Sequence, residues 1–259
     1  MNSFVCSGIA ALLTFAVGMV FADQHESGEG SMDPAIPAEL YVCSFNEGHG
    51  PDSLDKVVAS WNRWADDNDL TDYSAWTLTP FYFGPEQDFD FIWLGASPTA
   101  EGMGRAQDRW LSAGGAVAAE FAEISTCNAH GNMATLQFKD PPERDNPGSV
   151  VLAFSDCSMH DGVTFDDVAP AIGEWSAYRS EHGSTSGMWV MFPAYGGGGE
   201  EFDFKFVAGW QNLAEQGADW DQYSREGWRK AEELFADKLS CDSSRVYVAT
   251  TRRSMQMEE

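Results

Sequence analysis

Two halves of this sequence match one another at a single offset. YSAWTLTPFYF (73–83) aligns with SGMWVMFPAYG (186–196), which sets Trp76 on Trp189, Pro80 on Pro193 and Tyr82 on Tyr195. FDFIWLGA (89–96) aligns with FDFKFVAG (202–209), Trp61 with Trp175, and Phe121-Ala122 with Phe235-Ala236. Every offset is 113 or 114, over about 100 residues. So many matches at one spacing are a duplication, and the chain must fold as two copies of one unit.

The pattern inside each copy sets the unit. LYVCSF (40–45) reads as a strand from its apolar and aromatic content. In SLDKVVASWNRWADD (53–67), Leu54, Val57, Val58, Trp61 and Trp64 fall at helical spacing, with Asp52 or Ser53 as the cap. Two strands follow, 73–83 and 88–97, joined by GPEQ in the first copy and by GGGGEE in the second, both hairpin tips. One long helix over 99–124 and a strand NMATLQFK (132–139) complete the order β-α-β-β-α-β. That order is the ferredoxin-like unit. The expected class is α+β, two ferredoxin-like repeats. The expected organisation is a signal peptide 1–22, a leader 23–38, repeat one 39–138, a Pro-rich linker 139–149, repeat two 150–254 and a tail 255–259.

In such a unit the last strand lies antiparallel beside the first. Cys43, near the end of strand one, then meets Cys127, just before strand four, and Cys157 meets Cys241. Both pairs are 84 residues apart, and the antiparallel approach brings their Cα atoms to the roughly 5.5 Å that a disulfide needs. Each bridge would add about 2–4 kcal/mol by closing a long loop. Buried free thiols are the alternative. No metal site is expected, because no C-x-x-C or Cys/His cluster is present.

The N-terminal segment MNSFVCSGIAALLTFAVGMVFA carries no charged side chain and is followed by the acidic DQHESGEG. This is the layout of a secretory signal, so the mature protein is expected to be periplasmic or secreted. An uncleaved anchor is the rival, since about 18 apolar residues can span a bilayer. Removing the signal, with Cys6 inside it, leaves four cysteines for an oxidising compartment. The chain has 41 acidic against 15 basic residues, a net charge of −26. Such a polyanion offers no basic face to phosphates, which excludes nucleic acid as a partner, and after signal cleavage it is not expected on membranes. A monomer is expected, comfortable where salt screens its self-repulsion.

Two ferredoxin-like units in one chain resemble the dimeric α/β-barrel superfamily in its fused, tandem form, and CSFNEG, WTLTPFYF and FDFIWLG look like stretches of exported bacterial proteins. The resemblance implies two four-stranded sheets packed face to face with helices outside. Ligands would sit between sheet and helices or inside the barrel. The superfamily includes small monooxygenases, haem enzymes such as chlorite dismutases, stress-response proteins and proteins without assigned activity. It therefore raises haem as a cofactor without selecting it.

Strand alternation and copy-to-copy differences nominate residues. Phe89, Phe91 and Trp93 should lie under the helices, as should Phe202, Phe204 and Phe206. Asp90, Asp203 and Lys205 should face the space between the sheets, as a ligand surface or as a rim salt bridge. Trp76 and Trp189, kept in both copies, are core or cavity lining, and Tyr82 and Tyr195 follow the same logic. Asn46-Glu47-Gly48 becomes His160-Asp161-Gly162 in the second copy. That change makes His160 and Asp161 candidates for a base, a metal ligand or an axial haem ligand, against the simpler reading of an exposed loop histidine. His182 should end the first helix of copy two, His49 and His130 should sit in loops, and His25 lies in the leader.

The acidic run DDNDLTD (66–72) lacks the glycine and glutamate of an EF-hand. Nucleophile-elbow, H-E-x-x-H, Walker and dinucleotide motifs are absent. The leading expectation is a protein that binds a small, partly aromatic ligand. The alternatives are a monooxygenase or haem-type enzyme with His160 in the working half, and a structural or stress-related module.

Overall fold

The computed structural model describes residues 34–140 and 148–255; the apolar segment 1–22, most of the leader and the middle of the linker lie outside them. Each half contains the expected order. Repeat one runs β1 (Ile36–Phe45), α1 (Pro51–Asp67), β2 (Ser74–Tyr82), β3 (Phe91–Ala96), α2 (Ala100–Ala113), α3 (Gly115–Ile124) and β4 (Ser125–Lys139). Repeat two runs β5 (Ser149–Met159), α4 (Phe165–Glu181), β6 (Gly187–Tyr195), β7 (Phe204–Trp210), α5 (Leu213–Gln222), a π-helical turn (Tyr223–Gly227), α6 (Trp228–Phe235), β8 (Leu239–Cys241) and β9 (Arg245–Arg253).

Within repeat one the strands lie β4-β1-β3-β2, and β2 continues into β9, β5, β7 and β6 of repeat two, which returns to β4. All pairings are antiparallel, so the sheet closes on itself as an eight-stranded barrel, with β8 a short piece of the strand that β9 completes. Strand two of each repeat pairs with strand four of the other. No edge strand is left unpaired around the ring.

The pleat separates two apolar surfaces. Leu78, Leu94, Met133, Phe154, Met191, Val207, Tyr247 and Ala249 point inward and pack together, with Trp76 and Trp189 half-buried against them. Eight strands enclose just enough room for side chains, which is what fills the barrel here. Phe91 and Trp93 point outward beneath α1 and α3, and Phe204 beneath α4. Phe89 departs from the expected alternation. It precedes β3, where the pleat has not begun, and packs with the barrel interior.

Both disulfides are present, Cys43–Cys127 and Cys157–Cys241. A bulge between Val42 and Cys43 sets the first pair opposite one another in the ladder, and Cys157 faces Cys241 directly. Other local expectations change. α1 starts at Pro51, whose fixed φ suits the first helical position, so Asp52 lies in the first turn and Gly50 is the cap residue. The single helix expected over 99–124 is two, broken at Gly114. β4 begins at Ser125, which places His130 in a strand rather than a loop. No described helix is long and apolar enough to cross a membrane.

Candidate functional site

A cavity of about 310 Å³ lies in repeat one between the outer face of β1, β3 and β4 and the helices α1, α2 and α3. Its walls are aromatic. Trp61 stands edge-on to Trp93 at 4.8 Å, Trp64 edge-on to Trp110 at 5.1 Å, and Phe121 meets both Trp93 and Trp110. α1 delivers Trp61 and Trp64 because its apolar stripe faces the sheet. The α2–α3 break at Gly114 lets Trp110 and Phe121 approach from two directions. A Cβ there would meet the Trp110 ring at 2.4 Å and its carbonyl oxygen at 2.5 Å.

One polar cluster interrupts this apolar surface. Glu39, on the outward side of β1, is 4% exposed. The Tyr73 hydroxyl donates to its Oε1 at 2.6 Å, and the Gln107 amide donates to its Oε2 at 2.9 Å. The His130 Nε2 lies 2.9 Å from the same Oε2. The Trp93 indole N–H donates to the Tyr73 hydroxyl at 3.2 Å. His130, half-exposed on β4, stacks on Tyr41 with ring centroids 3.7 Å apart, its cross-strand neighbour. Burial, reinforced by the neighbouring Glu39, pushes the Tyr41 and Tyr73 phenols well above their ordinary pKa. Gly95, opposite Glu39 in the ladder, makes room for Tyr73, since a Cβ there would sit 1.8 Å from the Tyr73 oxygen.

Repeat two lacks every member of this cluster. At the repeat offset Glu39 becomes Ala153, Tyr41 becomes Ser155, Tyr73 becomes Ser186, Trp93 becomes Phe206 and His130 becomes Ser244. The Tyr41–His130 stack is replaced by a Ser155–Ser244 hydroxyl contact of 2.6 Å. The cluster therefore belongs to the first half of the chain alone. A glutamate in the otherwise apolar IPAELYV, read beside the alanine in VLAFSDC, is the sequence signal for it.

Of the residues named from sequence, Phe91, Trp93 and the Cys43–Cys127 pair line this cavity, whereas the catalytic and ligand-binding candidates His160, Asp161, Trp76, Trp189, Asp90, Asp203 and Lys205 do not. Asp90 accepts from the Phe45 amide at 2.7 Å, and Asp203 repeats this with the Met159 amide at 2.6 Å. Both carboxylates are thus engaged by the backbone at matched sheet ends. Lys205 pairs across the ladder with Asp156, which also binds Arg245, and its ammonium lies 4.1 Å from the Phe202 ring. Trp76 and Trp189 border the barrel interior, and the Trp189 indole donates to Gln137 at 3.1 Å. His160 is half-buried, with Nε2 2.8 Å from the Ser240 hydroxyl, and the exposed Asp161 follows it in the turn. His182 caps α4, Nδ1 2.8 Å from the Tyr178 carbonyl. Among the described residues no group of three or more His, Cys, Asp or Glu is arranged to hold a metal.

Comparison with solved structures gives the class of fold. The chain superposes on a variant of chlorite dismutase from Candidatus Nitrospira defluvii with a TM-score of 0.51 at 6% identity, covering 85% of this chain and 92% of that one. A haem-binding protein from Thermus thermophilus matches at 0.50, 7% identical, over 85% and 95% of the two chains. An anthrone oxidase-like protein matches at 0.52, 10% identical, over 86% and 96%. At these identities the likeness is one of fold, that of the dimeric α/β-barrel proteins. No family profile and no curated protein sequence matches the chain.

Haem, a cofactor within this fold class, needs an axial ligand. No histidine lines the cavity of repeat one or the larger cavity of repeat two. The two lining cysteines are joined to each other, the Tyr73 hydroxyl is bound to Glu39, the Tyr41 ring is stacked on His130, and Met188 in repeat two is packed in an apolar cluster at 2% exposure. Tyr82 and Tyr223 also line the larger cavity, so neither cavity offers the histidine or thiolate ligand of a haem and only phenols remain.

Proposed function

We propose that repeat one binds a small, flat, largely apolar aromatic molecule whose single polar group points at the Glu39–Gln107 corner. One observation carries this reading: an aromatic-walled cavity of about 310 Å³ whose polar lining converges on one buried carboxyl. Pockets of roughly 300–1,000 Å³ with few, convergent polar groups are the usual form of small-molecule sites. The volume suits one to three fused rings and no extended chain.

A catalytic reading of the same cavity is favoured by His130. The Glu39–His130 contact joins a buried carboxyl to a half-exposed imidazole, a route by which a proton taken from a bound molecule reaches solvent. The fold likeness to an anthrone oxidase-like protein suggests a substrate with an acidic ring C–H.

One ligand tests both. Anthrone is expected to quench the tryptophan fluorescence of the full chain saturably, its carbonyl accepting from the Gln107 amide. Gln107→Leu, which removes that donor, should weaken binding by about tenfold, the worth of one good hydrogen bond. If the site is catalytic, deuterium exchange into the anthrone methylene is faster with the protein and returns to the buffer rate in Glu39→Gln. Unsaturable quenching overturns the binding reading; binding without faster exchange overturns the catalytic one.

A further inference from the structure

The second cavity, about 780 Å³, lies between the outer face of the repeat-two sheet and α4, α5 and the π-helical turn. Where the first cavity gathers its polar groups at one corner, this one spreads them around its wall. Gln216 comes from α5, Tyr223 from the π turn, Ser243 from the break between β8 and β9, and Tyr82 from β2 of repeat one. None of these four side chains makes a hydrogen bond among the described residues. Tyr82 and Ser243 are exposed; the Gln216 amide and the Tyr223 hydroxyl, on half-buried residues, remain accessible. Every charge on the wall is already matched. Arg179 and Asp219 pair with each other beneath the helices, and Asp242 pairs with Arg245. The aromatic lining forms a platform. Trp220 is 66% exposed and stacks on Tyr223, with ring centroids 5.6 Å apart and planes inclined by 30°, which covers one of its faces and leaves the other open. Trp175 meets Tyr223 edge-on, and its own ring face is taken by the Arg179 guanidinium. The rings therefore do not form a cage around a cation.

We propose that this cavity binds a neutral saccharide, with one pyranose ring on the open face of Trp220 and its hydroxyls met by Gln216, Ser243, Tyr223 and Tyr82. A pyranose with equatorial hydroxyls has two flat faces of C–H bonds and a rim of groups that both donate and accept. The face suits an indole, and the rim suits an amide and hydroxyls spread around a wall, since each of them also donates and accepts. A flat aromatic molecule would cover the same platform but strip water from these partners without replacing it. An anionic sugar would bring a charge for which the wall holds no free cation. The ammonium of Lys139 is held by the Ser184 carbonyl at 2.6 Å and does not line the cavity. The backbone irregularities of repeat two gain a reason on this reading. The π turn sets Tyr223 behind Trp220, and the strand that is continuous in β4 is interrupted at Asp242–Ser244, where Ser243 reaches the wall. The volume falls in the range of roughly 300–1,000 Å³ usual for small-molecule sites. Tyr82 belongs to repeat one, so the site is complete only in the closed barrel.

The test uses the full chain and methyl β-cellobioside, whose two rings carry only equatorial substituents. Saturation transfer from protein to sugar reports binding, and proton–nitrogen correlation spectra of the indole N–H groups report where it occurs. The Trp220 signal is identified by its loss in Trp220→Ala. The expected result is a saturable shift of that signal, transfer to the ring C–H protons of the sugar, at least about tenfold weaker binding in Trp220→Ala, and weaker binding in Gln216→Ala. Alanine favours a helix and neither side chain is buried, so both variants fold, which the unchanged dispersion of their spectra verifies. No shift, a shift confined to the Trp93 signal of repeat one, undiminished transfer in either variant, or methyl β-D-glucuronide bound as tightly as the cellobioside would each overturn the proposal. None of these outcomes bears on anthrone in repeat one, so the two readings fail separately.

Discussion

Glu39 sits where a strand residue facing helices should be apolar, and it is tolerated because its carboxyl oxygens are met by Tyr73, Gln107 and His130. The tyrosines record the same environment. A phenol whose folded pKa is raised adds stability that is fully present below its unfolded value of about 10 and is lost as pH rises through the folded value. Tyr41 and Tyr73, and to a lesser degree Tyr247, are such groups. Stability is therefore expected to fall steeply on the alkaline side, measured as the urea midpoint at stepped pH. Tyr73→Phe should make that fall shallower; an unchanged slope would refute the assignment. Little of this cluster was legible from sequence. Comparing the copies was the right instrument, but a His-Asp step in a turn looks more like chemistry than a lone glutamate among apolar residues. Which face of β1 meets the helices decides the matter, and His130 reads as a loop residue because Gly131 follows it.

At the scale of elements, the two repeats differ most in their second helix. Repeat one divides it at Gly114, whose amide donates to the Trp110 carbonyl at 2.8 Å, and repeat two widens it into a π turn. Each irregularity adjoins a cavity: Trp110, four residues before the break, lines the first, and Tyr223, which opens the π turn, lines the second. Gly114→Ala is expected to cost about 1–3 kcal/mol, the usual penalty for forcing a methyl into packed space. It should also loosen ligand binding in repeat one, because Trp110 is the ring displaced. Chemical denaturation with anthrone titration checks both. Full stability would mean that the break has another cause. Helical periodicity gives a helix through this region but is blind to the break, since glycine inside a helical pattern is tolerated and only the neighbouring indole forbids a side chain here.

For the whole molecule the match between the two halves of the sequence was the readable part. It leads to the element order and the two cysteine pairings, while the closed barrel was expected only from the resemblance to the dimeric α/β-barrel proteins. The cavities are not readable in this way; they depend on distances between elements far apart in the chain. Closure also makes the two repeats a single cooperative unit, since β2 pairs with β9 and β4 with β6. Calorimetry should show one transition whose calorimetric and van't Hoff enthalpies agree. Two resolved transitions would mean that the repeats are held together only loosely.

The exchange of strands has a cost in time. Thr77 and Arg252 share a hydrogen bond of 2.7 Å although 175 residues separate them. A newly made chain carries the bare flank of β2 until β9 is available, and such long-range closure is slow. During that interval a second copy of the chain offers the same complementary edge, since pairing is by backbone and the two halves are alike. Two molecules can then close each other's rings, trading repeats as partners trade hands. Slow closure during synthesis is thus the interval in which the ring is open to the wrong partner.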